Sequence, residues 1–311
     1  MELYQSRFLS ILKDSLKKQL SEAVMFVPQI LNKEHSDPEP VHKTRVGFRK
    51  IRTQLRILKP IVQKKTLRYF RSTSKQIGQT LGFVRDLDIL KLNLSTYYTN
   101  HHPEKNFEKF LWKPTFLDIY NQKYMTLQIT LKSQEFVDFL NFLTLFCSTE
   151  DLGIKESIYK NSDCRLNPKE FISNVLFLQA TIVQDTEKFL KNSQDDRMFH
   201  RLRIEVKRFR YILEFFAPFL EENRYFNLLS SLTNLQDHLG AINDFVTSIN
   251  LVNSILIAKN NQQPSFEFSL LNNFNQHIKQ EKIILQKSFS DSWEFYVQTN
   301  PTTLLSDFIR D

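Results

Sequence analysis

Apolar residues recur at spacings of three and four positions along most of the chain, which is the pattern of amphipathic α-helices. The 311 residues include only 5 Gly and 10 Pro, fewer than a turn-rich all-β fold uses. Hydrophobic residues make up 41% of the chain, so it can bury a large core. The sequence therefore predicts an all-α protein in which the 28 Phe mainly fill the interfaces between helices.

The chain contains an internal repeat that is offset by 158 residues. Residues 41–60, VHKTRVGFRKIRTQLRILKP, fall on residues 199–218, FHRLRIEVKRFRYILEFFAP. In the same register and without a gap, LGFVRDLDIL at 81–90 falls on LGAINDFVTS at 239–248. Two motifs that are kept at one fixed offset indicate a duplication.

We predict two homologous halves, 1–155 and 156–311, which join near the polar residues 160–168. Each half contains about four helical segments. The segments are roughly 2–31, 41–59, 61–98 and 105–149 in the first half, and 168–192, 197–217, 222–260 and 266–297 in the second. Gly82 and its counterpart Gly240 predict either a helix break or close helix packing.

Each basic segment places its cations along one side of a helix. At about 100° per residue, one stripe of the first helix carries His42, Arg45, Arg49, Arg52, Arg56 and Lys59. The second copy carries His200, Arg203, Lys207 and Arg210, with Glu214 in the place of Arg56. A solvated polar face would usually mix signs, because like charges at these spacings destabilise a helix. A stripe that occurs twice despite this cost indicates a binding face, and its excess of Arg favours phosphate.

The net charge of +8 is concentrated around the first stripe. Residues 41–75 contain twelve Lys and Arg and no acidic residue, so the remainder of the chain is net acidic. Such a basic segment predicts an anionic partner. The N-terminus does not resemble a signal peptide, and no apolar run is long enough to span a bilayer. We therefore expect a cytoplasmic protein without a membrane segment.

The motif H-x-x-R-x-x-x-[RK]-[RK]-x-R, followed after about 30 residues by L-G-x-x-[RN]-D, resembles the CHAD domain (conserved histidine α-helical domain). The sequence carries it as HKTRVGFRKIR with LGFVRD and as HRLRIEVKRFR with LGAIND. The resemblance implies two four-helix bundles related by a pseudo-two-fold axis, with basic helices that line a central cavity. It also implies binding of inorganic polyphosphate and association with polyphosphate granules. Many family members carry a fused CYTH domain; no ExExK-like element occurs here, so a single, stand-alone CHAD domain over 1–311 is expected.

The resemblance and the helical projections together predict a polyphosphate-binding site on the two basic helices. The first helix contributes His42, Lys43, Arg45, Arg49, Lys50, Arg52 and Arg56. The second contributes His200, Arg201, Arg203, Lys207, Arg208 and Arg210, and the fourth helix adds Lys123. We expect Asp86 and Asp244 to orient arginines as structural carboxylates rather than to act in catalysis. No metal site or cofactor is expected.

Several interpretations stay open at this point. His42 and His200 are candidates for phosphate contact, structural hydrogen bonding, metal ligation or phosphorylation. Nucleic-acid binding is the alternative function, although few aromatic residues interleave with the cations. A phosphoanhydride-processing enzyme is less favoured, because the basic helices nearly lack the carboxylates that would hold Mg²⁺. Glu205 and Glu214 predict that the second half binds an anion less strongly than the first.

Overall fold

The computed structural model describes residues 2–32, 37–102, 114–160, 167–190, 195–258 and 266–299. In these ranges the backbone is almost entirely α-helical, which confirms the predicted all-α class. The β-pairing found in the described ranges is an isolated antiparallel bridge between Val62 and Ile154.

The helices of the two halves follow the predicted order. The first half forms α1 Glu2–Val24, α2 Val27–Leu31, α3 Glu39–Ile57, α4 Lys64–His101, α5 Pro114–Lys132 and α6 Gln134–Ser148. A short helix follows, α7 Ser157–Lys160. The second half forms α8 Pro168–Leu190, α9 Asp196–Phe216, α10 Glu222–Ala258, α11 Phe266–Lys287 and α12 Phe289–Val297. The two basic helices are therefore α3 and α9.

Some predicted boundaries were wrong. The segment predicted over 105–149 contains two helices that meet at Ser133, and its first residues lie outside the described ranges. Ser133 caps α6, because its Oγ accepts a hydrogen bond from the backbone N–H of Phe136 at 3.2 Å. α4 runs through Gly82 without a break and ends at His101. The last predicted segment is likewise divided into α11 and α12.

Local sequence signals fix where the two basic helices begin. Pro38 and Pro40 lie at the N-cap and in the first turn of α3, where the helix needs no backbone N–H donor. Asp195 caps α9, and its carboxylate accepts a hydrogen bond from the backbone N–H of Arg197 at 2.9 Å. Each helix thus starts just ahead of its histidine.

Each half packs around its basic helix. α3 contacts α1 and α4, and α9 contacts α8 and α10. The apolar side of α3 is fully buried at Phe48, Ile51 and Leu55, and that of α9 at Phe209 and Leu213. α3 also contacts α9, and α4 contacts α10, so the halves meet along equivalent helices. The polar sides of α3 and α9 consequently face the junction between the halves.

Two glycines allow close contacts that position α3 and α4. A Cβ atom at Gly47 would lie 2.5 Å from the Cβ of Ala23, so α1 and α3 could not cross this closely with a larger residue. Gly153 has a φ of +71°, a left-handed conformation that favours glycine. Its carbonyl oxygen accepts a hydrogen bond from the backbone N–H of Gln63 at 2.7 Å. This contact and the adjacent β-bridge hold the start of α4 against the segment that follows α6.

The apolar composition of α10 corrects one sequence-based statement. By length and composition alone, residues Glu222–Ile257 could cross a bilayer. The sequence analysis had identified no apolar run of that length. The helix packs against α4, α9, α11 and α12, and it buries core side chains that include Leu232, Leu235 and Ile242. α10 therefore packs among the other helices of the second half and α4, and the absence of a membrane segment stays a prediction.

Candidate anion-binding groove

The polar sides of α3 and α9 line a groove of about 1010 Å³ between the two halves. α4 forms the wall on the first-half side, and α10 contributes Asn243, Thr247 and Asn250 on the other. Thirteen Lys and Arg line the groove, whereas Asp86 is the one acidic residue among its described lining residues. The volume is typical of a ligand pocket, but the lining is far more basic than the mostly apolar lining of such pockets.

The groove brings together eight of the fourteen predicted site residues: Arg45, Arg49, Arg52, Arg56, His200, Arg203, Lys207 and Arg208. The other six lie outside its lining: His42, Lys43, Lys50, Lys123, Arg201 and Arg210. Lys43 instead pairs with Glu39 one turn earlier, at 3.6 Å. The Nζ atom of Lys123 lies 5.3 Å from the ring centroid of Phe83, a cation–π contact between α5 and α4.

Two glutamates of α9 neutralise cations at the junction between the halves. Glu214 contacts the Nζ atom of Lys50 at 2.7 Å through one oxygen and Nη1 of Arg210 at 3.4 Å through the other. Glu205 forms an ion pair with Arg208 one turn away. The second half thus carries the acidic partners that sequence analysis associated with weaker anion binding.

Each half pairs its first stripe arginine with the aspartate of its L-G-x-x-[RN]-D motif. Nη1 of Arg45 lies 3.4 Å from Oδ1 of Asp86, and Nη2 of Arg203 lies 3.9 Å from Oδ1 of Asp244. Burial raises the pKa of Asp86, Arg45 opposes the shift, and the neighbouring Asp244 adds to it. The two pairs therefore converge near the junction, where each carboxylate lies beside the guanidinium it can orient.

Two glycines of α4 lie beside arginines of α3, and a Cβ atom at either would make an ordinary van der Waals contact. A Cβ atom at Gly82 would lie 3.6 Å from Nη2 of Arg45, and one at Gly78 would lie 3.4 Å from Nη1 of Arg52. A Cβ atom at Gly240 would meet nothing within 4 Å. α4 is continuous through Gly82, so the predicted helix break is wrong, and neither motif glycine is required for close packing.

The two repeat-related histidines, His42 and His200, occupy different environments. Burial lowers the pKa of His42, and the charges of Arg85 and Arg45 lower it further. His200 is exposed, and its Nδ1 lies 2.7 Å from Oδ1 of Asn243. Asn243 is the repeat counterpart of Arg85, so one sequence change replaces a cation beside the histidine by a hydrogen-bonding amide. His200 lines the groove with a fixed ring, whereas His42 does not line it.

Four cations at the centre of the groove are close enough to perturb one another; Arg45, Arg49, Arg203 and Lys207 are called the central cluster below. Burial, reinforced by the charges of Arg203 and Arg49, lowers the pKa of Lys207 to about 6. Burial also lowers the pKa of Arg203 to about 10, which leaves it charged at neutral pH. The Nε atom of Arg203 is buried and has no acceptor among the described residues.

The groove contains cations that we did not predict as site residues. They are Lys59 and Lys155 near the groove's end and Lys64, Arg68, Arg71 and Lys75 on α4. The α4 residues are spaced at i, i+4, i+7 and i+11, which places them on one helical face. That spacing was available in the sequence, but it shows only a shared face and not which neighbour the face meets.

Comparisons with known proteins agree with this geometry. Residues 14–253 match the family model of the CHAD domain. The chain belongs to the CHAD-domain family. The matched range contains both basic helices and both L-G-x-x-[RN]-D motifs of this CHAD protein, so the predicted family is confirmed.

Two solved structures share the fold of this CHAD protein. The CHAD domain from the plant Ricinus communis aligns with a TM-score of 0.68 and 18% identity, over 93% of this chain and 91% of that one. PptA from Streptomyces chartreusis aligns with a TM-score of 0.67 and 12% identity, over 92% of this chain and 99% of that one. At such identities the likeness concerns the fold. A comparison with curated protein sequences gives no significant match.

Proposed function

We propose that this CHAD protein binds inorganic polyphosphate in the groove between its two halves. The observation that carries the proposal is the charge of the groove, whose described lining contains thirteen Lys and Arg and one carboxylate. Arg49, Arg52 and Arg56 have no ion-pair partner among the described residues. Like charges held this close repel one another, and a bound polyanion would offset the repulsion.

Linear polyphosphate suits such a groove because it carries negative charge on every unit and offers no other feature to recognise. Guanidinium groups bind two phosphate oxygens at once, and the groove presents them from both α3 and α9. The buried Nε donor of Arg203 is a further position for a phosphate oxygen. Binding would release condensed counterions, so affinity should fall steeply with salt, as it does for nucleic acids.

We propose binding without catalysis. Enzymes that transfer phosphoryl groups hold Mg²⁺ with carboxylates beside the phosphates. The described part of this groove offers the carboxylate of Asp86, which already pairs with Arg45. Elsewhere in the described ranges, no three His, Cys, Asp or Glu side chains form a group that could hold a metal ion. The side chains that are present support capture of the anion rather than its cleavage.

Titration with long-chain polyphosphate and with duplex DNA at two salt concentrations tests this function against nucleic-acid binding. Among the described lining residues Tyr211 is the one aromatic side chain, so the groove lacks a series of stacking platforms for bases. We expect tighter binding of polyphosphate than of DNA, with a steep salt dependence. Comparable affinity for the two polymers would contradict the proposal.

Binding of this kind also gives a means of localisation. We propose that the protein is cytoplasmic and associates with polyphosphate granules through the groove. A fluorescent fusion should colocalise with granules, and substitution of Arg49 and Arg52 by Glu should disperse it. Retention of the variant on granules would show that another surface or partner directs the association.

A further inference from the structure

Lys207 is the lysine of the central cluster, and it lines the groove from α9. Among the described residues, neither a hydrogen bond nor an ion pair holds its side chain. It is partly buried one turn after Arg203, and Arg45 and Arg49 approach it from α3. The centre of the groove therefore surrounds a single amine with three guanidinium groups.

The surroundings of this amine favour its uncharged form. Burial lowers the pKa of Lys207 to about 6, and the charges of Arg203 and Arg49 lower it further. Arg45 acts in the same direction, while Asp244 on α10 opposes the shift. A lysine in water has a pKa near 10.4, so fewer than about one amine in a thousand carries a free lone pair at neutral pH. Most copies of Lys207 carry one, because pH 7 lies above the pKa of this amine.

An uncharged amine in this position is a nucleophile. Enzymes that use lysine as a nucleophile activate it in the same way, by desolvation or by a second cationic group. The guanidinium groups beside the amine are suited to binding phosphate, because each can contact two oxygens at once. The two features together suit a molecule in which a phosphate is attached to an electrophilic carbon.

Lys13 shows that burial alone does not make such a site. Burial lowers its pKa as well. Its Nζ atom donates hydrogen bonds to the carbonyl oxygens of Thr149 and Glu150, each at 2.7 Å, and lies 4.7 Å from the ring centroid of Phe146. These contacts stabilise the ammonium form and occupy its protons. Lys13 also lies outside the lining of the groove, whereas Lys207 faces its arginines.

We propose that Lys207 is a covalent modification site for small acyl phosphates, whose phosphate binds the arginines of the central cluster while the acyl group is transferred to the amine. In the transfer, the lone pair of Nζ forms a bond to the carbonyl carbon, and the bond between that carbon and the phosphate oxygen breaks. The phosphate leaves with the electron pair of the broken bond and takes one proton from the amine. The products are an acylated lysine and hydrogen phosphate.

This modification goes beyond the proposed reversible binding and regulates it. An acyl group makes the side chain neutral at every pH, so the second half loses the charge that a bound polyanion induces at Lys207. The group also adds bulk beside Arg49 and Arg203. Acylated protein should therefore bind polyphosphate more weakly and without proton uptake between pH 7 and 8.

Acetylation of the wild-type protein by acetyl phosphate tests the proposal, with mass spectrometry of proteolytic peptides to give the rate at each lysine. At pH 7 we expect Lys207 to react at least about tenfold faster than the exposed lysines Lys18, Lys132 and Lys279. Lys13 should not react measurably. From pH 7 to 9 the rate at Lys207 should stay nearly constant, whereas the rates at the exposed lysines should rise about tenfold per pH unit.

A neutral reagent, the N-hydroxysuccinimide ester of acetate, shows whether the arginines take part. It carries no phosphate, so the preference for Lys207 over the exposed lysines should be at least about threefold smaller than with acetyl phosphate. Lys207→Arg is the control for the assignment, because its guanidinium is not acetylated while the other lysines react as before.

The proposal is overturned if Lys207 reacts no faster than the exposed lysines. An equal preference with the two reagents would also overturn it, since the arginines would then contribute nothing. Long-chain polyphosphate should protect Lys207 from acetyl phosphate. Selective acetylation that polyphosphate does not slow would support the modification site and contradict the proposed polyphosphate binding, so the two failures are distinguishable.

Discussion

The basic helices α3 and α9 carry cations at most of the same repeat positions but surround them differently. Arg52 lines the groove and lies along α4 beside Gly78, whereas its counterpart Arg210 is paired with Glu214. A duplication can therefore preserve a charge at one repeat position while only one copy leaves that charge free for a ligand. A repeat motif alone does not tell which of its residues bind.

The same lesson applies to the cations at the centre of the groove. Arg49 has Lys207 as its counterpart, and burial among other cations lowers the pKa of the lysine to about 6. An arginine at this place stays charged, because its guanidinium has a far higher intrinsic pKa. The first half thus supplies permanent charge at the centre of the groove, and the second half supplies a charge that depends on pH.

The largest effect should come from charge reversal in the first half. We expect Arg49→Glu with Arg52→Glu to weaken polyphosphate binding by at least about 100-fold, because two strong charge-assisted contacts become repulsive. Titration with long-chain polyphosphate measures the loss, and circular dichroism checks that helicity is unchanged. Lys18→Glu with Lys132→Glu makes the same change of charge away from the groove. If the groove variant bound as this control does, the site assignment would be wrong.

A smaller loss of affinity should distinguish Arg52 from its repeat counterpart Arg210. We expect Arg52→Gln to weaken binding about tenfold and to lower the slope of log affinity against log salt by about one. Arg210→Gln should change both by much less, since Glu214 already neutralises Arg210. Titrations of the two variants at several salt concentrations measure the difference. Equal losses would show that both halves contact the anion alike.

The pH dependence of binding should come from Lys207. Between pH 7 and 8 its amine is largely neutral in the free protein, and a bound anion favours the charged form, so binding takes up a proton and tightens as the pH falls. The groups that face it are Arg203 on its own helix, Arg45 and Arg49 on α3, and Asp244 on α10. Calorimetry in buffers of different ionisation enthalpy measures the proton uptake.

Lys207→Arg is the matched variant for this test. It should bind polyphosphate without proton uptake and with an affinity that is flat between pH 7 and 8. Burial keeps the pKa of His42 below its usual 6.5, so this imidazole does not titrate in the same window. Proton uptake that persists in the variant would assign the pH dependence to another group.

The stability of the free protein should follow the same linkage. In the unfolded chain Lys207 has an ordinary pKa near 10.5, above its value of about 6 in the folded protein. The unfolded state therefore binds the extra proton between these values, and this residue makes the free energy of unfolding rise with pH across that window. Chemical denaturation of wild type and of Lys207→Met at pH 7 and 9 measures it; a pH dependence unchanged by the substitution would contradict the assignment.

The smallest effect distinguishes the two motif glycines. Gly240→Ala should raise the free energy of unfolding by about 0.5–1 kcal/mol, because alanine is the better helix former and its Cβ meets open space. Gly82→Ala should gain slightly more, since its Cβ would also make an ordinary van der Waals contact with the guanidinium of Arg45. Urea denaturation compares them. A smaller gain at Gly82 would show that this contact is strained.

Much of the fold was predictable because the helical period and the repeat are properties of sequence alone. The faces of α3 and α9 followed from 3.6 residues per turn, and Arg45 and Arg203 accordingly line the groove. Boundaries were less predictable: Ser133 divides a segment that looked continuous, because a single capping hydroxyl competes with the helix that precedes it.

The composition of the groove was harder to predict, because it depends on which helices become neighbours. Lys123 lies on α5 and contacts Phe83 rather than the groove. The α4 face that begins at Lys64 has no basic counterpart in the second half, so the repeat gave no reason to select it. Lys155 reaches the groove through a backbone bridge between segments far apart in sequence, which no local pattern encodes.

The most direct test of the account is a crystal structure of the protein in complex with long-chain polyphosphate. We predict phosphates within hydrogen-bond distance of Arg49 and Arg52 in the groove, continuing along α4 toward Arg68 and Arg71. A chain that lies beside Lys50 and Arg210, or that binds outside the groove, would contradict the claim that the cations lining the groove form the binding site.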